Sequence, residues 1–273
     1  MSLSILNNIS SLEAQDSLTT TKSSLDKTLQ ALSTGQRINS GADDAAGLAI
    51  ANGLEANITA LSQSVMNATD GVGMLQVADG ALSQVTSMLN RAITLATEAA
   101  SGTVSTSQDA ALDAEYQSIL TEIGNIGTAT TYNGQQILTG GSLTVYMSDS
   151  STNGNASVVV NMQTLTTAAL TLSGTDLTSA ATAATALGDL NAAIAAVADW
   201  RGKLGASSNQ LSDASNVMNA QITNLTGAES GIMDADIGKE TADLSKYSIL
   251  QQTGIAALQQ SNSMQQNVLK LLQ

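Results

Sequence analysis

Residues 50–96 read IANGLEANITALSQSVMNATDGVGMLQVADGALSQVTSMLNRAITLA. Within this stretch Leu54, Leu61, Ala68, Leu75, Leu82, Leu89 and Ala96 recur every seven residues, and Ile50 and Val85 fall at intermediate positions. A seven-residue apolar step keeps one face of an α-helix against a partner, which is the seam of a coiled coil. The spacing predicts a long helix over Ala45 to Ala96 and a mainly α fold.

A seam needs other helices to cover it, and the chain supplies them. Leu112, Ile119 and Ile126, with Tyr116 and Ile123 between, mark a shorter helix after the Ser/Thr/Gly break around Ser101 to Ser107. Leu190, Val197, Leu204, Leu211, Met218 and Leu225 repeat the seven-residue step, helped by Ile194 and Ile222. Three such seams satisfy one another in a long antiparallel coiled-coil bundle. Narrower stripes run along both ends: Ile5, Ile9, Leu12, Leu18, Leu25, Leu29 and Leu32 trace one, and Leu250, Ala257, Met264, Val268 and Leu271 the other. The remaining faces of the two ends are Ser, Thr, Asn and Gln with little charge.

Composition narrows the function. The 273 residues hold no Phe, one Trp (Trp200) and four Tyr, so ring packing cannot dominate, and small side chains favour closely spaced helices. The absence of Pro permits long unbroken helices. Without Cys or His there is no disulfide framework, thiol chemistry, usual zinc ligand set or imidazole acid and base. A net charge of −14 repels nucleic acid and anionic lipid, and Lys22, Lys27, Arg37, Arg91, Arg201, Lys203, Lys239, Lys246 and Lys270 never cluster. The opening MSLSILNNISSLEAQDS has neither a basic start nor a continuous apolar stretch, so it reads as neither a Sec signal peptide nor a membrane span.

The period changes between Gly140 and about Asp189. LTVYM (Leu143 to Met147), SVVVNM (Ser157 to Met162) and ALTL (Ala169 to Leu172) read as short β runs separated by turn residues. Asn133-Gly134 is a further hairpin turn, suited to two residues with positive φ. Asp43 and Asp44, at the start of the long helical pattern, are read as capping groups rather than a catalytic pair. Asp234 and Asp236 are read as junction residues, since no further ligands accompany them. Gly35, Gly41, Gly71, Gly73 and Gly80 make no phosphate cradle. No convergent nucleophile, base and stabiliser appears, so no catalytic residue, cofactor or metal is expected.

The terminal stripes imply association. About a dozen apolar side chains at roughly 1.5 to 3 kcal/mol each supply at most a few tens of kcal/mol. Ordering some seventy residues costs roughly 1 to 2 kcal/mol apiece in backbone entropy. The ends are therefore expected to be marginal alone and ordered when neighbouring copies add surface.

The residues that frame these features resemble a known family. ALSTGQRINSGADDAAGLAI (31–50) is similar to the N-terminal signature of bacterial flagellins, extended by NATDGVGMLQVADGAL (67–82), AEYQSILTEI (114–123) and TTYNGQQILTG (130–140). NLTGAESGIMDADIGKETADLSKYSILQQTG (224–254) and QNVLKLL (266–272) resemble the flagellin C-terminal region. The resemblance implies a secreted structural subunit of the extracellular flagellar filament, not an enzyme. It divides the chain into inner-tube (D0) helices at 1–40 and 234–273, helices of the surrounding (D1) layer at 41–140 and 187–233, and a short β-rich outer segment at 141–186.

The same resemblance implies a homopolymer with other flagellin copies or paralogues, contacts with hook-associated junction and cap proteins, and export through the flagellar type III apparatus. It also implies an export chaperone on the C-terminal helix, Leu250 to Leu272. Arg91, Leu95 and Glu115 match family residues on the surface where surrounding-layer domains stack, and Asn133-Gly134 with the following hairpin is a candidate switch in supercoiling. The chain departs from the family pattern at Gln210, Glu229 and Gly231, where arginines are usual, and at Gln265, where a proline is common. A hook-filament junction protein shares the terminal helices, but Ala45-Ala46-Gly47 and the TDGVGMLQVADGAL run fit filament flagellin better. A chemoreceptor hairpin would have a polar tip between near-equal arms, unlike this β-rich middle.

Overall fold

The computed structural model describes residues 8–101, 103–147 and 157–271, the last five as backbone. In order they form α1 (Ile9–Thr34), α2 (Ala45–Ala100), α3 (Thr106–Ala129), β1 (Thr131–Tyr132), β2 (Gln135–Gln136), β3 (Thr139–Tyr146), β4 (Ser157–Thr164), α4 (Ala180–Met233) and α5 (Ile237–Leu271). The chain separates into two compact units, Met1–Ala56 with Asn224–Gln273 and Asn57–Thr223.

In the central unit α2 buries two interleaved heptad rows. One is Leu61, Ala68, Leu75, Leu82, Leu89 and Ala96; the other is Ser64, Gly71, Ala78, Val85, Ala92 and Ala99. The first row is mostly leucine and the second mostly small residues, which lets neighbouring helices interdigitate without aromatic rings. A Cβ added to Gly71 would stand 3.1 Å from Leu211 Cδ1 on α4 and from Val145 Cγ2 on β3. Asp79 meets Arg201 at 2.7 Å, so as α2 advances from 71 to 79 its contacts on α4 recede from 211 to 201, and the two helices are antiparallel. Ile50, placed on the seam by its spacing, is 55 % exposed, because in the first turns of α2 Ala51 turns inward instead. Leu54 is half-buried.

The seam of α4 buries Ala183, Leu190, Val197, Leu204, Leu211 and Met218, one heptad step earlier than the leucines announce. The helix begins at Ala180 rather than near 187 because its first turns, AATAATA, use Ala where later turns use Leu. Ser179 and Thr182 close its start, the Ser179 N–H donating to the Thr182 hydroxyl at 3.1 Å. This Ala-rich helix is long and apolar enough by length and composition to cross a membrane, yet its leucines face the bundle.

β3 and β4 pair antiparallel, with Leu143 opposite Val160 and Val145 opposite Val158. Val145, Val158, Val160 and Met162 turn inward. The ALTL run is not a strand. Residues 167–171 form turns, with Leu170 N–H donating to Thr166 O at 3.1 Å and Thr171 at φ 59°. Its alternating pattern arises because Leu170 and Leu172 are both buried from a coiled backbone, not from a pleat. Tyr116 on α3 anchors this segment through a 2.5 Å hydrogen bond to Thr175, and the Leu177 N–H donates to Asp113 Oδ1 at 2.8 Å. Burial raises the Tyr116 phenol above its ordinary value, helped by Asp189, Asp113 and Asp176 and partly offset by Thr175.

Candidate self-assembly surfaces

In the terminal unit α1 and α5 pack antiparallel. The Asn8 amide donates to Gln265 Oε1 at 3.1 Å and to Ser261 O at 3.3 Å, while a Cβ on Gly254 would lie 3.3 Å from Leu18 Cδ1. Asn8 also caps α1, its side chain accepting from the Ser11 N–H at 3.1 Å. The half-buried or buried residues of α1 follow a heptad through Ser11, Ala14, Leu18, Thr21, Leu25, Thr28 and Leu32, with Ser24 and Ala31 beside it. On α5 the matching set is Leu244, Tyr247, Gln251, Gly254, Leu258, Ser261 and Gln265. The seam is therefore half polar. A search for apolar residues alone takes Leu18, Leu25 and Leu32 from it and misses the hydroxyl and amide positions.

The structure divides the apolar stripes of the two ends. Leu18, Leu25 and Leu32 face α5, whereas Ile9, Leu12 and Leu29 are exposed on α1. On α5 Leu250, Ala257 and Met264 lie at seven-residue intervals and are all exposed, Met264 at 58 %. Ile237, Ile249 and Ile255 add to the uncovered surface. Ile5 lies outside the described residues, as do the side chains of Val268 and Leu271.

Both connectors of this unit are pinned to each other. Gly35 ends α1 in the left-handed region at φ 74° with its N–H on Ala31 O at 2.9 Å, which glycine does without strain. Gln36 then forms an antiparallel bridge with Asp234. The Arg37 N–H donates to Met233 O at 2.6 Å, its guanidinium donates to Ile232 O at 2.7 Å, and the Ala235 N–H donates to Gly35 O at 2.9 Å. Spacing gives no hint of this role for Arg37, since its partners lie almost two hundred residues away and are backbone atoms.

The acidic pair divides its work. Asp44 Oδ1 caps α2 by accepting from the Gly47 N–H at 2.8 Å, and a Cβ on Gly47 would crowd Ile38 Cδ1 at 2.8 Å. Asp43 instead closes the preceding turn, accepting from the Ser40 hydroxyl at 2.9 Å and the Ser40 N–H at 3.0 Å, with Lys27 Nζ at 3.8 Å. The Ser40 hydroxyl, together with the Asn39 and Ser40 amides and Lys27, holds the Asp43 carboxyl below the usual range. Asp236 caps α5 by accepting from the Gly238 and Lys239 N–H groups, and Asp234 accepts from the Ser230 hydroxyl.

In the central unit Arg91 and Glu115 join α2 to α3 in an exposed ion pair at 2.7 Å. Leu95 is 2 % exposed. Of the three residues matched to a stacking surface, two are therefore exposed and the leucine lies inside, packed with the core. Asn133 and Gly134, at φ 49° and 77°, form the two-residue turn between β1 and β2. Tyr132, at the base of that turn, rests on α2: a Cβ on Gly73 would lie 3.3 Å from its hydroxyl.

Comparison with known proteins agrees with this architecture. Residues 5–143 match the bacterial flagellin N-terminal helical region and residues 187–272 the bacterial flagellin C-terminal helical region. A flagellin of Halalkalibacterium halodurans is 35 % identical over 90 % of this chain and 91 % of its own length. The flagellar filament 33 kDa core protein of Treponema phagedenis is 34 % identical over 98 % of this chain and 99 % of its own. The crystal structure of Bacillus cereus flagellin, 30 % identical, superposes with a TM-score of 0.50 over 60 % of this chain and 94 % of that one. The chain belongs to the bacterial flagellins. It is a structural subunit of a bacterial flagellar filament, polymerising with other flagellin copies, and not an enzyme.

Proposed function

We propose that this flagellin builds its filament in radial layers, with α1 and α5 lining the inner tube and the α2, α3 and α4 bundle surrounding it. The observation that carries this reading is the division of α1 and α5 into a half-polar mutual seam and an uncovered apolar flank at Ile9, Leu12, Leu29, Leu250, Ala257 and Met264. Fully burying one such aliphatic side chain contributes about 1.5 to 3 kcal/mol. A handful per subunit totals about 10 kcal/mol, comparable to the cost of fixing one molecule against another. Contacts with several neighbours at once then tip the balance, so both ends gain order with polymerisation.

Arg91 and Glu115 supply the surface on which surrounding-layer domains stack along the fibre, with Leu95 supporting them from within. The turn at Asn133-Gly134, seated on α2 through Tyr132, shifts between packings as protofilaments supercoil. Chain ends with exposed apolar flanks also suit hook-associated junction and cap proteins, and the flank of α5 suits an export chaperone that shields it during passage through the flagellar type III apparatus.

The experiment is a comparison of Leu250→Asp with Leu258→Asp. The first substitutes the uncovered flank, leaves the helix content of the unpolymerised chain unchanged by circular dichroism, and abolishes filaments in electron micrographs. The second substitutes the seam and lowers helix content before any assembly. Normal filaments from Leu250→Asp would remove the basis of the radial reading.

A further inference from the structure

Asparagine followed by glycine carries a reaction of its own. The glycine nitrogen attacks the Asn side-chain carbon, because no side chain at the second position obstructs the approach and a small, unstrained ring results. The chain holds three such pairs, Asn52-Gly53, Asn133-Gly134 and Asn153-Gly154, the last outside the described residues. Whether a pair reacts depends on how firmly its main chain is held, and there the other two differ. Asn52 and Gly53 lie inside α2, where each N–H is committed to the carbonyl four residues earlier. Turning the Gly53 nitrogen towards the Asn52 side chain breaks that helix from within.

Asn133 and Gly134 are both exposed and stand between strands of two residues each. The Gly134 N–H and the Asn133 side chain have no hydrogen-bond partner among the described residues. Nothing lies within 4 Å of a Cβ built on Gly134. The ladder that closes the turn consists of the pairs Thr131–Gln136 and Tyr132–Gln135. So short a hairpin opens locally far more readily than the middle of a helix. Opening releases Asn133 from its left-handed φ of 49° and lets the Gly134 nitrogen swing towards Cγ.

We propose that Asn133 is a site of spontaneous covalent modification, its amide converting to a mixture of aspartate and isoaspartate while the rest of the central unit stays folded. The Gly134 N–H gives its proton to solvent as its nitrogen bonds to Asn133 Cγ. The Cγ–Nδ2 bond breaks and ammonia leaves, which closes a cyclic imide across the two residues. Water then adds to one of the two ring carbonyls. Opening at Cγ leaves aspartate; opening at the main-chain carbonyl leaves isoaspartate, whose main chain runs through the side chain and is one carbon longer. Asp-Gly suits the same turn as Asn-Gly, so aspartate adds a negative charge and keeps the hairpin. The longer main chain of isoaspartate no longer fits between Tyr132 and Gln135, and it draws Tyr132 from its seat at Gly73. The conversion belongs to the single chain and holds whether or not the turn takes part in supercoiling.

The unpolymerised full chain is incubated at mildly alkaline pH, folded and in urea. Asn133 is followed in peptic peptides by the mass gain of an amide-to-acid exchange, and isoaspartate by enzymatic methylation of its freed carboxyl. Gln210→Gly gives Asn209 a glycine successor in the same molecule, at exposed positions within α4. Asn209 is compared rather than Asn52 because Asn52 belongs to the terminal unit, whose order increases with polymerisation. In the folded variant Asn133 converts at least about tenfold faster than Asn209, isoaspartate is among the products, and helix content by circular dichroism is unchanged. In urea the two sites convert at similar rates. The proposal is overturned if Asn133 of the folded chain stays intact while it converts in urea, if Asn209 keeps pace with Asn133 in the folded variant, or if conversion appears only with loss of helix content. Should Gln210→Gly fail to fold, the folded and urea arms of the native chain decide alone.

Discussion

Gly127 on α3 and Leu165 after β4 meet backbone to backbone: a Cβ on Gly127 would overlap the Leu165 carbonyl oxygen and stand 3.1 Å from its carbon. Leu165 has little freedom to withdraw, since its N–H is held on Leu138 O at 2.8 Å and its side chain is 1 % exposed. Gly127→Ala therefore destabilises the central unit by about 1 to 3 kcal/mol, read as a fall in thermal midpoint. Gly124→Ala is the control, because nothing lies within 4 Å of its added Cβ and helix propensity favours Ala by roughly 0.8 to 1 kcal/mol. Equal melting of the two variants would contradict the close approach.

Asp109 occupies the same seven-residue row of α3 as Tyr116 and Ile123, is 8 % exposed, and its Oδ1 has no hydrogen-bond partner among the described residues. A buried acceptor left unpaired costs about 1 to 3 kcal/mol, which an apolar side chain of similar size avoids. Asp109→Leu raises the denaturant midpoint at unchanged slope. A lowered midpoint would mean that the carboxylate has a partner that matters.

Tyr116 sets an alkaline limit. Its phenol is raised by burial, then by nearby carboxylates, so the folded state favours the neutral form. A raised folded value contributes stability that is fully present below the unfolded value of 10.0 and is lost as pH climbs from there through the folded value. Denaturation midpoints of the native chain fall above about pH 10, and Tyr116→Phe flattens that fall while lowering stability near neutrality by about 1 kcal/mol for the lost Thr175 hydrogen bond. Parallel pH profiles for the two chains would rule out Tyr116 as the sensitive group.

Arg91 and Glu115 are both about half exposed, so their ion pair contributes little to the folding of one chain. Arg91→Ala changes the melting of the unpolymerised protein by less than about 1 kcal/mol but raises the concentration needed to form filaments, measured by sedimentation. An unchanged critical concentration would separate this pair from fibre stacking.

The helical framework was legible because burial follows a period. The rows from Leu61 to Ala96 and from Leu190 to Met218 are announced by leucines and are buried as spaced. Where Ala replaces Leu, at Ala183, the same row is silent, and α4 starts earlier than its leucines suggest. ALTL misleads in the opposite sense, since a coil that buries Leu170 and Leu172 repeats every two residues just as a strand does. The self-assembly stripes mix two faces: Leu18, Leu25 and Leu32 serve the α1 and α5 seam, and Leu250, Ala257 and Met264 lie outside it. Hydrophobicity alone cannot tell which neighbour a residue meets. Arg37 was illegible because its partners are main-chain carbonyls, which carry no letter in a sequence.

The seam between α1 and α5 sets Ser11, Thr21 and Thr28 of one helix and Gln251, Ser261 and Gln265 of the other among leucines, which has a consequence for how readily the two ends part. Hydroxyls and amides that lose one another are promptly greeted by water, so prising the two apart costs chiefly the cover over Leu18, Leu25, Leu32, Leu244 and Leu258. Half of the contact is thus recovered in solvent, and the leucines alone decide how firmly the two ends stay closed.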